Sequence, residues 1–106
     1  MRNQGYHVDI VSGKGYDLKI SVNGKEFYIE VKARKMIGDV DLEGKEYKKA
    51  LNERKHYILA IVTNVPNNPE AYFIRDPINY VKGVKIDKYM IILRGSRDIK
   101  SLLLDP

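Results

Sequence analysis

Asp17, Glu30 and Lys32 are the residues of this chain whose types and spacing suit chemistry together. An aspartate is followed, after twelve intervening residues, by a glutamate, one spacer and a lysine. Mg²⁺ is commonly held by one or two carboxylates, with water and substrate phosphate completing its shell. Such an ion polarises a phosphodiester and acidifies a bound water. An ammonium beside it orients that water and stabilises the charge developing on the phosphorane. The chain has no cysteine and only two histidines, His7 and His56. Disulfides, thiol catalysis and zinc ribbons are therefore excluded, and a metal site must be oxygen-rich, which favours Mg²⁺, Mn²⁺ or Ca²⁺.

A β-hairpin must bring the three together. Residues 16–22 alternate, with Leu18, Ile20 and Val22 on one face and Asp17, Lys19 and Ser21 on the other. Asn23-Gly24 is the strongest short hairpin signal. Residues 26–33 alternate again, with Phe27, Ile29, Val31 and Ala33 opposite Tyr28, Glu30, Lys32 and Arg34. If Asn23-Gly24 is a two-residue turn, Leu18 meets Ile29, Ile20 meets Phe27, and Asp17 lands opposite Glu30. Opposed side chains lie roughly 4.5–5.5 Å apart at Cβ, where like charges repel. A divalent cation relieves that repulsion. The same residues also read as the solvated face of a hairpin, with Lys32 the salt-bridge partner of Glu30.

The remaining elements support the hairpin. Residues 6–11 suit a strand, broken by Ser12-Gly13-Lys14-Gly15. Residues 35–42 read as a loop. A helix of about three turns spans 43–56, with Tyr47, Ala50, Leu51 and Arg54 along one side. Lys45, Lys48, Lys49, Asn52, Lys55 and His56 form the opposite, basic stripe. Residues 57–63 (YILAIVT) are continuously apolar, as in a strand covered on both faces. Residues 71–75 form another strand, Asp76-Pro77 reads as a helix start, 88–93 as a last strand and 96–104 as a short helix. The order β-β-β-α-β-β implies an α/β fold with a mixed sheet, built as one domain over residues 1–106.

Hydrophobic residues make up 43% of the chain and charged residues 31%, an ordinary globular composition. The net charge of +5 suits a partner rich in phosphate. The segment MRNQGYHVD has no apolar signal region and no run is long enough to span a membrane, so a cytoplasmic protein is expected.

The stretch GYDLKISVNGKEFYIEVKARK resembles the core motif of PD-(D/E)xK nucleases, an acidic residue opening one hairpin strand and E-x-K on the next. More narrowly, G-Y-D, I-E-V-K, LEGKEYKKALNERKHYILAIV and the later Asp-Pro resemble the NO VEIN C-terminal domain family. That family occurs beside helicases and restriction-modification components. The resemblance covers roughly residues 5–80 and implies a restriction-endonuclease-like sheet with flanking helices. It implies Asp17 and Glu30 as metal ligands with the Val31 carbonyl, Lys32 as catalytic lysine, and Glu46 as an acidic residue reaching the site from the helix. Such domains usually open with a helix, and only residues 1–5 precede the first strand, so that helix is expected to be missing or supplied elsewhere, as in a piece of a larger protein. Tyr16 stands where the superfamily motif has proline, as in this subgroup.

Arg34 and Lys35, just past the catalytic lysine, and Lys45, Lys48 and Lys49 are candidates to hold a nucleic-acid backbone; the helix lysines also read as a solvated face. Tyr28 suits stacking on a base or surface packing, and His7 has no ligand partner at useful spacing. Gly13-Lys14-Gly15 lacks the spacing of a phosphate loop. Two functions follow. One is a Mg²⁺- or Mn²⁺-dependent DNA endonuclease, with a homodimer an admissible assembly. The other is a non-catalytic DNA-recognition module serving a helicase, NTPase or methyltransferase subunit.

Overall fold

The structure is a computed structural model, and it describes residues 7–34, 40–64, 67–85 and 88–91. Strands β1 (His7–Ile10), β2 (Leu18–Val22) and β3 (Lys25–Arg34) form an antiparallel meander. The β2–β3 ladder pairs Leu18 with Ile29, Ile20 with Phe27 and Val22 with Lys25, the register expected from the turn. Asn23 and Gly24 both have positive φ, 50° and 78°, as a twist-matched two-residue turn requires.

β4 (Val40–Glu43) and helix α1 (Gly44–Glu53) then carry the chain to β5 (Tyr57–Thr63), which lies parallel to β3. β6 (Glu70–Arg75) pairs antiparallel with β5 and completes a five-stranded mixed sheet of order β1-β2-β3-β5-β6. The apolar run of β5 is buried on alternate faces. Tyr57, Leu59 and Ile61 join Val40, Leu42, Ala50 and Ile74 in a core under the helix. Ile58 and Ala60 join Val22, Phe27 and Ile29 in a core on the other face. Burial on both faces explains why the run does not alternate.

Four expectations are corrected. The loop read over 35–42 contains β4, whose four residues are too short to show a period; it joins β8 (Lys88–Ile91) and β7 (Val81–Lys85) in a second sheet of order β4-β8-β7. The helix stops at Glu53, because Arg54 takes φ 50°; a 3-10 turn, Arg54–His56, follows. Leu51, expected on the packed face, is 48% exposed, while Ala50 is fully buried. The helix expected from Asp76-Pro77 is a single 3-10 turn, Pro77–Tyr80, leading into β7. Asp76 is left-handed (φ 55°), not extended as an N-cap is, so it turns the chain instead of launching a helix. Ile92 and Leu93 of the expected last strand and the helix read over 96–104 lie outside the described residues. Among the described residues, no helix is long and apolar enough to cross a membrane.

Candidate active site

β3 outruns β2, and the site forms where β2 ends. The last ladder pair at this end is Leu18 with Ile29, so Val31 has no partner on β2. Asp17, one residue before β2, supplies the missing acceptor: its Oδ2 receives the Val31 N–H at 2.9 Å. Its own N–H donates to the Ile29 carbonyl and its carbonyl accepts from Val11 N–H, both at 2.8 Å. Asp17 thus stands beside Glu30 but leaves the regular ladder, which modifies the direct cross-strand opposition expected from the turn. In an extended strand the N–H and C=O of one residue point the same way, so the Val31 carbonyl is directed to the Asp17 side.

Glu30 and Lys32 share a face of β3, opposite Leu59 and Ile61 of β5 in the parallel register. Glu30 is only 7% exposed. The Lys32 ammonium lies 3.7 Å from Glu30 Oε2 and 2.7 Å from Glu46 Oε1, so its closer partner comes from the helix. Glu46 sits at the third position of α1, and the same Oε1 accepts the Glu43 N–H at 2.9 Å. This capping contact fixes Glu46 toward the sheet.

The cluster is electrostatically divided. Burial, the hydrogen bond and charge of Glu46, and the charge of Asp17 push the Glu30 carboxyl up to about 8, with Lys32 pulling the other way. Burial also pulls Glu46 upward, but Lys32, the Glu43 N–H and Glu30 outweigh it and hold it below the usual carboxylate range. Of the two neighbouring carboxyls, Glu30 thus holds its proton more tightly than Glu46, which faces Lys32.

Loop 11–17 and the start of α1 close over this cluster and leave a cleft of about 430 Å³, lined by Gly13, Gly15, Tyr16, Asp17, Glu30, Gly44 and Glu46 among others. Gly15 (φ 87°) packs so closely that a Cβ there would lie 2.5 Å from the Lys45 carbonyl oxygen. From beneath, the buried Tyr57 hydroxyl donates to the Gly15 carbonyl at 2.8 Å. The spacing of Gly15 and Tyr57 does not mark them as site residues. The usable signals are a second glycine directly before Tyr-Asp and a tyrosine opening an otherwise aliphatic run.

The basic candidates divide. Lys48 is exposed on α1. Lys45 Nζ donates to the Gly13 carbonyl at 3.2 Å. Lys49 pairs with Glu53 at 3.0 Å and lies 4.0 Å above the Tyr28 ring, so it is turned inward. Arg34 Nη1 bonds the Ala33 carbonyl at 2.7 Å. Lys35 lies outside the described residues. Tyr28 packs edge-on against Tyr16, with 4.9 Å between ring centroids, and belongs to the core under the helix. His7 bonds Asp9 at 3.0 Å.

Among the described residues, no three His, Asp or Glu side chains are grouped to hold a metal ion. The donors that fit are fewer and hard: the carboxylates of Asp17 and Glu30 and the Val31 carbonyl. Three carboxyl groups, Asp17, Glu30 and Glu46, line one cleft while the Lys32 ammonium pairs with two of them, and a divalent cation would offset the remaining negative charge.

A hairpin with an acidic residue at its open end, E-x-K on its second strand, and a crossover helix leading to a parallel third strand give the α/β arrangement expected from the resemblance to PD-(D/E)xK nucleases. Among solved structures the chain is similar to Archaeoglobus fulgidus Hjc, a Holliday junction resolvase from an archaeal hyperthermophile, at 15% identity and a TM-score of 0.54, covering 84% of this chain and 78% of that one. No curated protein matches the chain in sequence. The sequence profile of the family described as "Protein NO VEIN, C-terminal" matches residues 1–74, and the chain belongs to that family.

Proposed function

We propose that the chain is a Mg²⁺-dependent (or Mn²⁺-dependent) endonuclease-like domain that hydrolyses DNA phosphodiester bonds in a restriction, defence or repair setting. The observation that carries this reading is the convergence of Asp17, Glu30 and Glu46 on one cleft over the central strand, with the Lys32 ammonium ion-paired to both glutamates. Asp17, Glu30 and the Val31 carbonyl would hold the cation, which supplies polarisation of the scissile phosphate and acidification of a water. Glu30 must release its proton to serve as a ligand. Lys32, held by Glu46 at 2.7 Å, is the group positioned to orient the attacking water and balance charge on the phosphorane. Lys48 and Lys45, with Arg34 and Lys35 beyond the motif, are the cations proposed to follow the DNA backbone. A DNA substrate goes with a cytoplasmic setting and with a helicase, NTPase or methyltransferase partner; a second copy of the chain is a further candidate partner.

The test is Mg²⁺-dependent cleavage of plasmid and branched DNA by wild type and Lys32→Ala. Loss of cleavage by roughly 10²–10³-fold in the variant is expected, since a preorganised charge-stabilising donor is worth that much. Unchanged cleavage would overturn the mechanism. A second reading, a non-catalytic DNA-recognition module, is favoured by the closed Lys32–Glu46 ion pair. It predicts salt-sensitive DNA binding and no cleavage with any divalent ion.

A further inference from the structure

We propose, resting on the metal site just described, that Tyr57 is a positioning residue whose hydroxyl sets the place of Asp17 over Glu30 and with it the affinity of the cleft for a divalent cation. Asp17 lies just beyond the β2–β3 ladder, held on one side by its bonds to Ile29, Val31 and Val11, so the segment left to adjust its place over Glu30 is the loop that precedes it. That loop is seated from two sides. Gly15 presses against the first turn of α1, where a Cβ would lie 2.5 Å from the Lys45 carbonyl oxygen. The same residue's carbonyl rests on the Tyr57 hydroxyl at 2.8 Å. Tyr57 opens β5, pairs with Tyr28 and lies two residues before Leu59, the partner of Glu30.

Tyr57 is fully buried and belongs to the core under the helix, where a phenylalanine would fill the same volume. A buried hydroxyl is costly without a partner, and the partner here is the loop carbonyl. Burial and the neighbouring charges of Glu30, Glu46 and Asp17 keep the phenol protonated, so it remains a donor. One buried hydroxyl therefore links the strand beneath Glu30 to the loop that ends in Asp17.

The experiment compares wild type, Tyr57→Phe, Asp17→Asn and Ile74→Val, all as the full chain. Mn²⁺ affinity is read by titration calorimetry and Val31 amide exchange by NMR without metal. Outer contacts that orient metal ligands are worth about 10–100-fold in affinity, so Tyr57→Phe is expected to weaken Mn²⁺ binding by that factor. It should also speed exchange of the Val31 amide, which bonds Asp17. Ile74→Val, a truncation in the same core that leaves the Tyr57 hydroxyl and its Gly15 partner in place, should lower Tm without either effect. Wild-type Mn²⁺ affinity and Val31 exchange in Tyr57→Phe would overturn the proposal while leaving the metal site intact. Equal Mn²⁺ affinity in wild type and Asp17→Asn, or none in wild type, would overturn the metal site itself and this proposal with it. Should Tyr57→Phe not fold, Gly15→Ala displaces the same loop from α1; a loss of about ten-fold or more supports the proposal and unchanged affinity overturns it.

Discussion

Replacing Glu30 by glutamine should remove a pH dependence of stability that the apo protein otherwise shows. In the fold the Glu30 carboxyl is pushed up to about 8, against 4.5 for a free glutamate. The folded state thus favours the protonated form. The stability that this preference contributes is present in full below pH 4.5 and is lost as pH rises through 8. Glu46 acts in the opposite sense: its lowered carboxyl contributes stability above its ordinary value, lost only as pH falls below that value. The window between pH 4.5 and 8 therefore belongs to Glu30.

The gap of about 3.5 units between the two Glu30 values, at about 1.36 kcal/mol per unit, sets a ceiling near 5 kcal/mol. Proton sharing with Glu46 and the open side of the cleft reduce this, leaving on the order of 2 kcal/mol. For a domain of this size that is a Tm difference of roughly 8–16 °C. The assay is thermal unfolding of wild type and Glu30→Gln from pH 5 to 8.5 in chelator, where the difference between the two curves cancels every other titrating group. Wild type should lose stability relative to the variant as pH rises. Mn²⁺ at pH 8.5 should restore it in wild type and not in Glu30→Gln. Parallel curves across the window would refute the argument, because Glu30 would then titrate alike in the folded and unfolded chain.

Three further outcomes follow. Glu46→Gln removes the charge that does most, after burial, to hold the Glu30 proton, so the acidic limb of a pH–cleavage profile should move to lower pH; an unmoved limb would separate the two carboxylates. Lys48→Gln should reduce the salt slope of DNA binding by about one, whereas Lys49→Gln should leave that slope alone and lower Tm, because Lys49 is committed to Glu53 and Tyr28. Ile61→Ala, deep in the core under the helix, should cost about 2–5 kcal/mol in urea unfolding, and a smaller loss would mean that the sheet collapses around the gap.

The hairpin was legible in the sequence because two independent signals coincide there. Asn23-Gly24 sets the register, and the alternation of Leu18, Ile20, Phe27 and Ile29 admits no other. The buried strand 57–63 was legible from its apolar run for the same reason of redundancy. β4 was not, since it is stabilised by pairing with β8, a contact between distant segments that leaves no local period, and β7 was not, since the register shift between Val81 and Gly83 interrupts its alternation. The Asp76-Pro77 signal failed because it specifies a helix only when the aspartate is extended, and the hydrogen bonds from Arg54 to Asp76 and Asn79 fix another backbone there.

At the site, types and faces were legible while pairings were not. Alternation places Glu30 and Lys32 on one face, and it makes Glu30 the obvious partner of Lys32. The structure gives Lys32 to Glu46 at 2.7 Å and leaves Glu30 at 3.7 Å. The reason is the helix start: Glu46 bonds the Glu43 N–H, so its carboxylate is already ordered when it meets Lys32, and pairing with it costs less side-chain entropy. Burial and the neighbouring Glu46 raise the Glu30 carboxyl, against the pull of Lys32 at 3.7 Å. Placing Glu46 three residues into the helix that follows E-x-K therefore sets three properties at once: where the helix begins, where Lys32 points, and that the Glu30 carboxyl is raised. In the proposed site metal loading would be coupled to pH through Glu30 and Glu46, which is why changing Glu46 should move the pH profile where changing Lys32 should remove activity.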